Sequence, residues 1–141
     1  MRWDEQAPAI GDTASRSRQV AHDDIARFTA LSGDRNPLHH DPEAAAATPF
    51  GGIVVHGGVT TAILNALVAE DLPGPGTVFL ELSLRFRAPV RPGDTITGIG
   101  TVTSVRHDKP ITELDVAVTT QDGTVAVEGH AVCWTMELPT R

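Results

Sequence analysis

The sequence predicts an α+β fold, a curled antiparallel sheet wrapped around one long central helix, and three observations carry that prediction. From Gly57 onward the apolar residues Val59, Ala62, Ile63, Ala66 and Leu67 recur at helical spacing, and Leu64 and Val68 make the opposite side apolar as well. A helix that is apolar nearly all round must be enclosed rather than laid on a surface. After Pro73-Gly74-Pro75-Gly76 the hydrophobic period changes to two, which is the strand period. The rest of the chain then reads as a meander of four long strands, enough sheet to wrap one helix. This is the hot-dog arrangement. Such a sheet leaves an open edge that a second copy covers by pairing, so a homodimer or a dimer of dimers is expected.

The elements follow in order. Residues 1–12 are polar and contain Pro and Gly, which predicts an irregular leading segment, and Ser15 to Val20 reads as a first strand. His22 to Leu31 carries Ile25, Phe28 and Leu31 at helical spacing. Asp23 and Asp24 suit its first turn, and Gly33 ends it. A loop runs from Asp34 to His39. Asp41-Pro42-Glu43 is an N-cap with Pro at the first helical position, opening a short Ala-rich helix to about Ala47. A second loop, Thr48 to His56, leads to the enclosed helix. Val78, Leu80, Leu82, Leu84 and Phe86 then form the buried face of a strand, and Thr77, Phe79, Glu81, Ser83, Arg85 and Arg87 its other face. Pro92-Gly93-Asp94 turns the chain into a strand from Thr95 to Val105, with Gly98 and Gly100 as candidate bulges. Leu114, Val116 and Val118 mark the next strand, Gln121-Asp122-Gly123 a hairpin turn, and Val125 to Met136 the last strand.

Length and composition bound the function. A chain of 141 residues reads as one domain, residues 1–141. At this size it buries roughly 68% of its unfolded surface. The balance of 11 basic against 18 acidic residues, net −7, argues against nucleic acid or an anionic membrane as partner, since both select a basic face. Lys109 is the sole lysine and the other basic residues are Arg, which suits bidentate phosphate contacts. Cys133 is the single cysteine, so it forms no intrachain disulfide and reads as an inert core thiol. No leading apolar region resembles a signal peptide, and no stretch approaches ~20 apolar residues, so a cytoplasmic protein is expected.

The chemistry lies in Asp34-Arg35-Asn36-Pro37-Leu38-His39. A helix would put residues five apart on different faces, but a loop broken by Pro folds Asp34 and His39 toward one point. An Asp and a His aimed at one water make a general acid/base pair. The later run Gly51-Gly52-Ile53-Val54-Val55-His56-Gly57-Gly58 ends in glycines where the enclosed helix begins, and free N–H groups at a helix start hold a developing oxyanion. Together these describe an acyl-binding site. Each residue also has a plainer role: Asp34 as a turn cap, His56 as an anchor for the second loop, Gly57 and Gly58 as a tight turn, and Arg85 and Arg87 as a solvated strand face. His40 is expected to face solvent. His39-His40-Asp41 make a poor metal site because adjacent residues rarely face one ion, so no metal is expected.

At this point the chain resembles the MaoC-like, (R)-specific enoyl-CoA hydratase and dehydratase family of hot-dog proteins. The resemblance rests on Ser32 to His39, Ile53 to Gly57, Ser83 to Val90 with Gly93-Asp94, and Asp108-Lys109-Pro110, in that order, over roughly residues 20 to 135. It implies that Asp34 and His39 are catalytic and that backbone N–H groups of Gly57 or Gly58 hold the thioester carbonyl. It also implies support from Asn36 and His56. Asn65 stands where a small hydroxyl residue is common in the family, placing an amide near the acyl pocket. Coenzyme A phosphates would meet Arg85, Arg87, Arg91 and Lys109. The implied reaction is reversible hydration of a trans-2-enoyl thioester to the (R)-3-hydroxyacyl thioester. Asp34 takes a proton from the water that attacks C3, while His39 positions that water and supplies the proton to C2. No cofactor is implied beyond the coenzyme A of the substrate. The alternatives are a dehydratase acting on a carrier-protein thioester, a non-catalytic hot-dog subunit, and a hot-dog thioesterase. The last commonly needs an acid on the enclosed helix, which here carries only Glu70 near its end.

Overall fold

The computed structural model describes residues 2–139. Its helices are α1 (Trp3–Gln6), α2 (Asp23–Ser32), α3 (Pro37–His40), α4 (Pro42–Ala46) and α5 (Gly57–Ala66), the last continued by a π-helical turn, Leu67–Asp71. The strands are β1 (Thr13–Gln19), β2 (Thr77–Phe86), β3 (Thr95–Val105), β4 (Ile111–Thr119) and β5 (Val125–Thr135). They form one antiparallel sheet in the order β1-β3-β4-β5-β2. The expected meander of four strands is therefore three, β3-β4-β5, with β2 placed beyond β5 rather than beside β3. The leading segment is more regular than its composition predicts. It contains one helical turn, tied down by Trp3, whose indole N–H donates to the Arg106 carbonyl at 2.7 Å.

α5 and its π-helical continuation lie across the inner face of the sheet and bury Val59, Ile63, Leu64, Leu67 and Val68 against Leu114, Val116 and Val118. Gly98 and Gly100 permit that approach and are not bulges. A Cβ on Gly98 would stand 3.1 Å from Ile63 Cγ2, and one on Gly100 3.1 Å from Leu67 Cδ2. The irregularity in β3 falls instead between Val102 and Ser104. The helix is also not enclosed on every side, because Ala62 and Asn65 are exposed. In α2 the buried stripe is Ile25 with half-buried Phe28, while Leu31 is 81% exposed.

β2 corrects the expected alternation. Its register against β5 shifts between Phe79 and Glu81, and one inserted residue moves every later side chain to the other face. Thr77 and Phe79 therefore face inward above the shift, and Leu84 packs on the core below it. The residues predicted as the buried face are largely solvated: Val78, Leu80, Leu82 and Phe86 are 45%, 53%, 37% and 61% exposed. β2 is an edge strand, and among the described residues no further strand pairs beyond it. Among the described residues no helix is long and apolar enough to cross a membrane.

Candidate active site

The site begins where α2 ends. Gly33 adopts a left-handed conformation (φ 79°) and its N–H bonds to the Thr29 carbonyl, the usual way a glycine stops a helix. Two short Asx turns follow. Asp34 Oδ1 accepts the Asn36 N–H at 3.0 Å, and Asn36 Oδ1 accepts the Leu38 N–H at 3.1 Å. Asn36 thereby caps α3, with Pro37 as its first residue. The expected loop is thus a one-turn helix, because Pro at the first helical position starts a helix as readily as it breaks one. That turn points His39 inward, where it is buried, and leaves His40 exposed. Asp41 caps α4 by accepting the N–H groups of Glu43 and Ala44.

The structure brings Asp34 and His39 together: His39 Nε2 stands 3.8 Å from Asp34 Oδ2. His39 Nδ1 lies 2.6 Å from the Val54 carbonyl, which only accepts, so Nδ1 carries the donated hydrogen and the neutral ring leaves Nε2 bare. The Asn36 N–H bond holds the Asp34 carboxyl below the usual carboxylate range. Partial burial pulls the other way, and the nearby His56, His39 and His40 rings add to the lowering. Asp34 stays ionised at neutral pH and its side chain is 43% exposed.

His56 occupies the N-cap position of α5, without a side-chain capping bond, and is 2% exposed. Its ring stacks on His39, with centroids 3.9 Å apart, and Phe28 lies 4.9 Å away. Its Nε2–H donates to the Asp34 carbonyl at 3.1 Å, so it ties the second loop to the first. The first bonds of α5 run from Val59 and Thr60 N–H to the His56 carbonyl, which leaves the N–H groups of Gly57 and Gly58 outside the helical ladder. The two glycines differ. Gly57 borders the cavity, whereas a Cβ on Gly58 would lie 2.0 Å from Phe28 Cζ, on the side facing α2.

That cavity has a volume of about 340 Å³ and is bordered by His39, Phe50, Val54, Thr60, Phe86 and Val90, among others. It is an apolar chamber with His39 in its wall and Asp34 outside the wall, toward solvent. Of these residues, sequence reasoning places only His39 in the site. Thr60 follows Gly57 by three positions on α5, so helical spacing was an available signal. Phe50 had none, because it comes from an irregular loop.

The other candidates separate. Arg87 borders the cavity and pairs with Glu128 at 2.8 Å. Arg91 donates to the Phe50 carbonyl. Arg85 is exposed and lines a surface hollow with Ser83 and His130. Lys109 sits in the turn before β4 beside Pro110, whose carbonyl accepts the Thr135 N–H. That is the far end of β5 from Val127, which pairs with Phe86 near the cavity, so within one chain Lys109 is remote. Asn65 is exposed. Eight residues along α5 from Gly57, it lies about 12 Å from the helix start. The metal-type cluster that forms is Asp34, His39 and His56, with ligand atoms within 4.8 Å of one another, rather than His39, His40 and Asp41. Within it His56 Nε2 commits its hydrogen to the Asp34 carbonyl.

The MaoC like domain family matches residues 5–124. The chain is 42% identical over 127 residues to an (R)-specific enoyl-CoA hydratase of Aeromonas caviae, covering 90% of this chain and 95% of that one. It is 36% identical over 131 residues to an (R)-specific enoyl-CoA hydratase of Rhodospirillum rubrum, covering 93% and 88%. The solved structure of an (R)-hydratase from A. caviae involved in PHA biosynthesis superposes with a TM-score of 0.87 at 40% identity, over 93% of this chain and 99% of that one. With the Asp34/His39 pair set beside an apolar chamber at the start of a helix wrapped by the sheet, this chain belongs to the MaoC-like domain family.

Proposed function

We propose that the chain is an (R)-specific enoyl-CoA hydratase, adding water reversibly across trans-2-enoyl-CoA to give (R)-3-hydroxyacyl-CoA. The observation that carries the reading is the 3.8 Å gap between His39 Nε2 and Asp34 Oδ2. One water reaches both atoms across such a gap at ordinary hydrogen-bond lengths of roughly 2.8 Å. The similarity to (R)-specific hydratases over nine-tenths of the chain supports the substrate and the stereochemistry.

The Val54 bond divides the labour differently from the sequence expectation. With the Nδ1 hydrogen committed to the Val54 carbonyl, His39 in this tautomer presents Nε2 as an acceptor, so it takes a hydrogen bond from the water and orients it. Ionised Asp34 takes the other proton as the water oxygen attacks C3. Protonated Asp34 then delivers that proton to C2. Both additions come from one water on one face of the double bond. The Gly57 N–H holds the enolate-like thioester oxygen, an interaction worth about 3 kcal/mol per donor in comparable sites. Among the described residues Arg87 is the arginine that borders the chamber, and it is the candidate for coenzyme A phosphates. No cofactor beyond that coenzyme A takes part.

The active form in this reading is a homodimer paired along β2. Of the two sheet edges, β1 presents Arg16, Arg18 and polar residues, which discourage pairing. β2 presents Val78, Leu80, Leu82 and Phe86. The test is the loss of enoyl-thioester absorbance with crotonyl-CoA, with chiral analysis of the product. Wild type is expected to form the (R) product, and Asp34→Asn and His39→Ala to stay folded and lose activity. A folded wild type inactive on crotonyl-CoA and on longer enoyl-CoAs overturns the reading.

A further inference from the structure

Beneath the Asp34 backbone lies a polar cluster that the proposed chemistry does not use. Thr29 is 6% exposed in the last turns of α2. Its hydroxyl donates to the Asp34 carbonyl at 2.9 Å. Having spent its one hydrogen there, Thr29 Oγ1 can only accept from His40 Nε2, 2.8 Å away. It also lies 3.3 Å from His56 Nε2, which itself donates to the same Asp34 carbonyl. The carbonyl thus receives two donors, one from α2 and one from the start of α5, filling both lone pairs.

We propose that Thr29 and His40 are positioning residues. Together with His56 they clamp the Asp34 carbonyl and so fix where the Asp34 carboxylate stands relative to His39. The need for a clamp follows from exposure. The Asp34 N–H donates to Ser32 Oγ and its carboxylate accepts the Asn36 N–H, but the side chain is 43% exposed, and its separation from His39 is what defines the water position. Displacement of a reacting group by about 1 Å costs up to ~100-fold in rate. His40 belongs to the clamp although it is exposed, because its Nε2 orients the Thr29 hydroxyl so that the hydrogen points at Asp34. Neither side chain borders the chamber, so their effect is expected in kcat rather than KM.

This inference rests on the hydratase reading. The experiment compares Thr29→Val, Thr29→Ser, His40→Leu and the Thr29→Val/His40→Leu pair with wild type and Asp34→Asn, measuring kcat, KM and thermal unfolding on the full chain. Thr29→Val is expected to lower kcat about tenfold with KM within twofold, and Thr29→Ser to restore it. His40→Leu is expected to fall between them, and the double variant to lose no more than Thr29→Val, because both act through one hydrogen bond. If Thr29→Val fails to fold, the His40→Leu loss and its kcat/KM split decide the matter. Full kcat in folded Thr29→Val or in His40→Leu, while Asp34→Asn is inactive, overturns the clamp and leaves the hydratase reading intact. An inactive wild type overturns both.

Discussion

Gly58→Ala tests the packing that holds the site, because two effects of opposite sign meet at one methyl group. Gly58 lies in the first turn of α5, and Ala there gains about 0.8–1 kcal/mol of helix propensity. The new Cβ, however, would sit 2.0 Å from Phe28 Cζ and 2.4 Å from Cε2. Carbon atoms rest at roughly 3.5–4.0 Å, so the ring must retreat by about 1.5 Å. A retreat on the inner side meets the His56 ring at 4.9 Å, itself stacked on His39. Overpacking of this kind costs about 1–3 kcal/mol. The net effect is a destabilisation of about 0–2 kcal/mol, or a Tm lowered by up to roughly 4–8 °C for a domain of this size. Hydratase activity falls with it, since the push passes through His56 to His39. Calorimetry and denaturant unfolding of Gly58→Ala, and of Gly58→Ala/Phe28→Leu, check this. The double variant should regain most of the loss. If Gly58→Ala is instead stabilised by the full helix-propensity gain, Phe28 yields without cost and the contact between α2 and α5 does not hold the histidine stack.

Two further outcomes follow from buried titratable groups. Burial pushes the Asp24 carboxyl up, but the Ala21 N–H, the Arg18 guanidinium at 2.7 Å and Arg27 together outweigh it and leave the group below its ordinary value. A carboxyl lowered in the folded state adds stability above its unfolded pKa of about 3.9 and loses it as pH falls through the folded value. Asp24→Asn should therefore cost about 1–3 kcal/mol in denaturant unfolding at pH 7 and much less at pH 3; an equal cost at both pH values sinks this account. Burial pushes the Cys133 thiol up to about 11. A disulfide reagent at pH 8 should label it only in unfolded protein, and rapid labelling of the native state is the contrary result.

Much of the design was legible in the chain itself. The Asp34-to-His39 element, the Asp41 cap, the Gly33 stop and the Gln121-Asp122-Gly123 turn depend on neighbours within a few residues, so local chemistry determines them. The strands were legible because period-two hydrophobicity survives wherever one face is covered, as along β3 and β4. Long-range assembly was not. The placement of β2 beyond β5, the register shift that takes Val78 off the face shared by Leu82, Leu84 and Phe86 and the approach of α5 to Gly98 and Gly100 arise from contacts between residues far apart in sequence. The same holds at the site. The sequence by itself determined that Asp34 and His39 meet at a helix start. Only the tertiary structure decided that Val54 selects the His39 tautomer, that Thr29 and His56 share the Asp34 carbonyl, and that Asn65 and Lys109 stand apart from the chamber. A hydrogen-bond partner supplied by another element leaves no spacing to read.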